Sequence, residues 1–134
     1  MKKLCRVVII EDEETVRKVF EYLFGNKGVE YKSYENIYEK AEEIYNYRPD
    51  VIILDLMLPF TTGLEFLEIY RKLERKKKKK NHTPIIVISA KKIESAKLES
   101  LELGADDFIE KPFNPREIYA RAMRFASKKT CKRK

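Results

Sequence analysis

Five short strand-like runs alternate along this chain with five stretches whose apolar residues recur at helical spacing. LCRVVII (Leu4 to Ile10), VEYKSY (Val29 to Tyr34), VIILDL (Val51 to Leu56), PIIVISA (Pro84 to Ala90) and DFIE (Asp107 to Glu110) read as strands. Between them, Val16, Val19, Phe20 and Leu23 mark a helix that ends at Gly25. Ile37, Ala41, Ile44 and Tyr45 mark a second, and Phe66, Leu67, Tyr70 and Leu73 a third. Thr62 followed by Glu65 is a capping box for that third helix. Ile93 to Leu103 forms a less regular fourth helix closed by Gly104. A fifth begins with Asn114 as cap, Pro115 in first position and Glu117 completing the box. Strand–helix alternation of this kind implies an α/β, doubly wound parallel sheet covered by helices on both faces. The third and fourth strands are apolar throughout, as strands buried on both faces must be.

The 134 residues suit one domain, with a body over residues 1–127 and a basic tail or linker start over 128–134. No apolar run approaches the length of a membrane span, so a cytoplasmic protein without membrane contact is expected. The net charge of +7 raises the question of nucleic acid. RKKKKK (Arg75 to Lys80) and the tail after Ser127 carry eleven positive charges, and the rest holds 18 basic against 22 acidic residues. The basicity therefore belongs to two appendages, and no direct nucleic-acid contact by this domain is expected. The lysine run is expected to extend the third helix or its loop, remote from any site. Of the two cysteines, Cys5 sits in an apolar run and Cys131 in the basic tail. Both are expected to be unbridged, in a reducing compartment.

One residue is out of place. Asp55 interrupts the oily run VIILDLMLP, where a carboxylate is costly without a partner. In an open parallel sheet, function gathers at the carboxyl ends of the strands. Strand one ends in Glu11 and Asp12, strand three in Asp55, strand four in Ser89, and strand five in Lys111. If strands one, three, four and five are neighbours, these side chains share one rim. Three carboxylates there would repel. Hard oxygen ligands in that number suit Mg²⁺. A lysine ammonium and a serine hydroxyl opposite them suit phosphate oxygens. Asp55 is then both a metal ligand and a candidate nucleophile, since aspartates form aspartyl-phosphates. Taken singly, Glu11, Asp12 and Ser89 could equally cap the following helices, and Lys111 could be a surface charge.

Together, VVIIEDEE, VIILDLMLPFTTG, PIIVISA, GADDFIEKPF and PREIYARAMR resemble the receiver domain of bacterial two-component response regulators, from Lys3 to about Ala126. The resemblance implies a flavodoxin-like sheet of order 2-1-3-4-5 with five helices. It implies that Asp55 is the phosphoacceptor and that Asp12 binds Mg²⁺ directly, Glu11 through water and Met57 by its backbone carbonyl. Ser89, with Ala90 beside it, corresponds to the switch hydroxyl and the phosphate-binding turn, and Lys111 to the phosphate-pairing lysine. The Lys111–Pro112 bond is expected to be cis, and Phe108 takes the aromatic switch position, without the hydroxyl that many relatives carry.

The function implied is a phosphorylation-dependent signalling switch rather than a turnover enzyme. It would be charged by a sensor histidine kinase, a phosphotransfer protein or a small acyl phosphate. Output would pass through the face of the fourth helix, fifth strand and fifth helix. In relatives of this type that face pairs active dimers, which would set Lys97 against Glu117 and Asp107 against Arg121 of a second copy. Two rivals are weighed against this. A small aspartate-nucleophile phosphatase would carry its nucleophile after the first strand, not the third. A flavodoxin-like flavin carrier would have a glycine-rich phosphate loop where this chain has EDEE.

Overall fold

The computed structural model describes residues 5–37, 39–56, 62–77, 82–90 and 94–127, and the side chains of 94–96 and 127 are left undescribed. Chain order is β1 (Arg6–Ile10), α1 (Glu14–Gly25), β2 (Glu30–Tyr34), α2 (Ala41–Tyr47), β3 (Val51–Asp55), α3 (Gly63–Lys76), β4 (Ile85–Ser89), α4 (Glu94–Glu102), β5 (Asp107–Glu110) and α5 (Pro115–Ser127). The strands form one parallel sheet of order β2-β1-β3-β4-β5. This is the expected doubly wound α/β fold. Asp55 lies level with Ile88 of β4, and Ser89 level with Glu110 of β5.

The continuous apolar strands have a simple cause. Successive side chains point to opposite faces. Val7, Ile9, Val51 and Ile53 pack on one face with Phe20 and Phe24 of α1 and Ile118, Ala122 and Ala126 of α5. Val8, Ile10, Ile52 and Leu54 pack on the other with Ile44 of α2 and Phe66, Leu67 and Tyr70 of α3. Both faces are covered, so neither parity can be polar. The capping box forms as expected: Glu65 N donates to Thr62 Oγ1, and Thr62 N to Glu65 Oε1, each at 3.1 Å. Arg116 N donates to Asn114 Oδ1 at the start of α5.

Several expectations need correction. The helix marked by Val16, Val19, Phe20 and Leu23 forms as α1, but Val19 is 40% exposed, because the Phe20–Phe24 pair, one turn apart, takes the contact with the sheet. α2 starts at Ala41 rather than Ile37. The expectation that both cysteines are unbridged fails at Cys5, which is disulfide-bonded. Cys5 packs against the same cluster as Ala126 of α5. Cys131 and the rest of 128–134 lie outside the described residues.

Of the lysine run, Arg75 and Lys76 end α3, Lys77 follows, and Lys78 to Lys80 are outside the described residues. Lys77 is not merely solvated: its ammonium lies 3.5 Å from Glu42 and over the ring of Tyr45. Among the described residues, no helix is long and apolar enough to cross a membrane.

Candidate functional site

Four strands deliver the predicted residues to one rim. Glu11 follows β1 and is fully buried, and its N–H donates to Tyr34 O at the end of β2. Asp12 beside it is exposed. Asp55 is the last residue of β3 and only 2% exposed. Ser89 ends β4, buried, with exposed Ala90 next to it. Lys111 follows β5, anchored by its N–H to Ser89 O at 2.8 Å.

The side chains converge. Glu11, Asp12 and Asp55 each offer one carboxylate oxygen, all within 4.8 Å of one another. Lys111 Nζ donates to Asp55 Oδ2 at 3.1 Å and lies 3.5 Å from Glu11 Oε1. That ammonium is the counter-charge a buried carboxylate pair requires. Burial, and then the neighbouring Asp55, push the Glu11 carboxyl up to about 7. Burial alone would lower Lys111, but Asp55 and Glu11 outweigh it and hold its pKa above the usual lysine value.

The bland alternatives are decided by position. The residue before α1 is Glu13, so neither Glu11 nor Asp12 caps that helix. Ser89 stands well before α4, which begins at Glu94. Lys111 turns inward rather than to solvent.

Gly63 explains how α3 can start so close to the site. A Cβ there would stand 2.7 Å from Leu56 Cα and 2.8 Å from Asp55 O, so only glycine lets the helix approach the end of β3. The Lys111–Pro112 bond is cis, as expected. Phe108 pairs in register with Val87 and packs, half-buried, on the cluster beneath α3. Met57 and Pro59 lie outside the described residues.

Arg17 was missed. From one turn into α1, its Nη1 donates to Glu11 O at 2.8 Å and so fixes the acidic turn. An arginine on a helix full of charges gave no sequence signal. At the other candidate surface, Lys97 is exposed on α4. Arg121 bonds within its own chain to Asp107 Oδ2 at 2.9 Å and Glu117 Oε2 at 2.7 Å.

Three oxygen donors, with Glu11 Oε1 buried and lacking a hydrogen-bond partner, suit a hard divalent cation. The response regulator receiver domain family matches residues 7–123. The chain belongs to that family. Receiver domains bind Mg²⁺ at an acidic pocket and serve phosphorylation-dependent signalling in two-component systems. Among curated proteins, the chain is 39% identical over 115 residues to the phosphate regulon transcriptional regulatory protein PhoB of Pseudomonas aeruginosa, covering 86% of this chain and 48% of that protein. It thus spans about half the length of that relative.

Among solved structures, the Francisella response regulator 1452 receiver domain superimposes with a TM-score of 0.81 at 27% identity, over 92% of this chain and 98% of that one. Chemotaxis protein CheY4 of Vibrio cholerae gives 0.80 at 26% identity, over 92% and 99%.

Proposed function

We propose that Asp55 accepts a phosphoryl group from the phosphohistidine of a sensor histidine kinase or phosphotransfer protein, or from a small acyl phosphate. A carboxylate oxygen of Asp55 attacks phosphorus, the bond from phosphorus to the histidine nitrogen breaks, and that nitrogen keeps the electron pair. The observation that carries this reading is the ammonium of Lys111 at 3.1 Å from a carboxylate buried at a strand end. An aspartate held there is positioned for in-line attack, and phosphoryl transfer needs little beyond positioning and charge neutralisation.

Glu11, Asp12, Asp55 and the backbone of Met57 would hold Mg²⁺, which supplies charge neutralisation on the phosphoryl oxygens. Lys111 then exchanges its bond to Asp55 for a phosphoryl oxygen, and the Ser89 hydroxyl donates to another. The chain both gains and loses its phosphoryl group at this one site, so it is a switch and not a turnover enzyme. The output is a population shift in α4, β5 and α5, with Phe108 following the occupancy of the site. Paired copies on that face, rather than nucleic acid bound directly by this domain, are the proposed consequence.

The test is chemical. Acetyl phosphate with Mg²⁺ should add one phosphoryl group that hydroxylamine removes, and Asp55→Asn should stay folded and unlabelled. Label persisting in Asp55→Asn would overturn the assignment.

A further inference from the structure

At the end of the sheet opposite Asp55, two charged residues of α3 are almost wholly buried, Arg71 at 6% and Glu74 at 7% exposure. Arg71 donates from Nε and Nη2 to the backbone oxygen of Gly104, at 3.1 and 2.8 Å. Its Nη1 donates to Glu74 Oε1 at 2.8 Å, and its Nη2 also reaches Asp106 Oδ2 at 3.0 Å. Both carboxylates are tied onward to the sheet. Glu74 Oε2 accepts from Thr83 N, and Asp106 Oδ2 from Ile85 N, each at 2.8 Å. Gly104 closes α4 with φ +112°, and a Cβ there would stand 2.9 Å from Arg71 Nε. The backbone is therefore shaped to be gripped by this guanidinium, and a planar five-donor fork suits the task.

Over its described side chains, the helix that ends in this grip buries little apolar surface of its own, while Leu103 and Ala105 just past it pack half-buried on the core. From Lys97 onward, Lys97, Leu98, Glu99, Leu101 and Glu102 are exposed, and only Ser100 of α4 is buried. The Ser100 hydroxyl bonds back to Lys97 O rather than to the sheet. Its neighbour α3, by contrast, buries Phe66, Leu67 and Tyr70. Apolar burial normally fixes a surface helix against its sheet. Over its described side chains, α4 itself lacks that, and its C-terminal end is held by the polar clamp beside the packed Leu103 and Ala105.

We propose that Arg71 anchors the C-terminal end of α4, so that the helix re-orients about Gly104 while β4 and β5 stay in place. Arg71 is thus a positioning residue for the output helix, acting from the pole of the molecule far from Asp55. Its consequence for signalling rests on the phosphoacceptor reading above, but the anchor itself does not.

Amide hydrogen exchange on the full chain, without phosphodonor, tests the anchor. Arg71→Lys keeps the charge but cannot span Gly104 and Asp106 together. The amides of Leu103, Gly104 and Ala105, which bond to Glu99, Leu101 and Ser100, should exchange faster by about tenfold. Those of β1 and β3 should change by less than about twofold. If Arg71→Lys does not fold, Arg71→Met with Glu74→Met, which removes the pair together, is judged by the same criterion. A uniform rise through all elements, or no rise in α4, overturns the proposal.

A second readout separates anchoring from plain stability. With beryllofluoride, the change in α4 exchange seen in the unmodified chain should be lost in the variant, while acetyl phosphate labels Asp55 at a rate within about twofold of the parent. If that change survives in full in the variant, the pivot is not Arg71. A parent chain that takes no phosphoryl group sinks the phosphoacceptor reading and leaves the exchange comparison standing.

Discussion

Lys111 reaches across the rim to Asp55, Nζ to Oδ2 at 3.1 Å, and lies 3.5 Å from Glu11. One ammonium is therefore shared between two buried carboxylates. Lys111→Met removes it and leaves Asp55 and Glu11 facing each other. Stability without metal should fall by about 1–3 kcal/mol at neutral pH, the cost of breaking a partly buried pair. Mg²⁺ should bind the variant more tightly, because the competing cation is gone. Labelling by acetyl phosphate should nevertheless slow, because the ammonium that would receive a phosphoryl oxygen is gone. Urea titrations with and without Mg²⁺ check the first two. An unchanged metal affinity would show that the ammonium and the metal do not compete.

Glu11 sets a pH dependence whose sign can be worked out. Its carboxyl is raised from 4.5 to about 7 in the fold. An acid whose folded pKa is raised resists ionising there, so folding loses stability as pH rises from about 4.5 to about 7 and is flat above. This is the reverse of a salt-bridged aspartate. Urea midpoints without metal should drop over that window, and Glu11→Gln should flatten the drop. Mg²⁺ needs the ionised form, so at ten times its dissociation constant it should add about 1.4 kcal/mol above pH 7 and less below. Asp12→Ala should abolish that gain. A Mg²⁺ effect equal at pH 5 and pH 8 would detach Glu11 from the metal.

Gly63→Ala tests how tightly α3 is docked at the site. The added methyl carbon would meet Leu56 Cα at 2.7 Å and Asp55 O at 2.8 Å, both backbone atoms that cannot swing aside. A loss of roughly 1–3 kcal/mol is expected. Labelling of Asp55 should fall as well, because relief requires the end of β3 to move. Normal labelling in a destabilised variant would place the relief in α3 alone.

The sequence made the centre of the sheet legible because burial of β1, β3 and β4 on both faces wrote nearly continuous apolar runs, and it made the rim legible because Asp55 breaks one. Gly63 stands in the sequence only as the last residue of VIILDLMLPFTTG, and the backbone clash that demands glycine there arises only in the fold. The spacing that marked α1 did not mark its buried stripe, since helical spacing allows two adjacent stripes and only packing chooses the one led by Phe20 and Phe24. The disulfide at Cys5 was missed because an apolar run around a cysteine reads the same whether its sulfur is bridged or free. Arg71 stood unnoticed among the charges of α3, since burial of an arginine leaves no mark in the sequence.

The dimer reading now has a sharper test. Arg121 is bonded to Asp107 and Glu117 of its own chain, so a dimer on the α4-β5-α5 face must exchange these partners for those of a second copy. Such exchange leaves the number of ion pairs nearly unchanged, and each exposed pair contributes only about 0–1 kcal/mol. Specificity would then come from self-complementarity under the two-fold axis, with Lys97 set against Glu117 and Asp107 against Arg121. Beryllofluoride should raise the dimer fraction in sedimentation, and Arg121→Asp and Asp107→Arg should each suppress the rise. Combining both changes in one chain cannot discriminate, because the reversed pair can form within that chain. Mixing the two single variants can. Under a two-fold axis, Asp107 of the first then meets Arg121 of the second, and the introduced aspartate meets the introduced arginine. A heterodimer should appear on mixing, although neither variant dimerises alone. If the mixture stays monomeric while the activated parent dimerises, these charges pair only within the chain and the interface lies elsewhere.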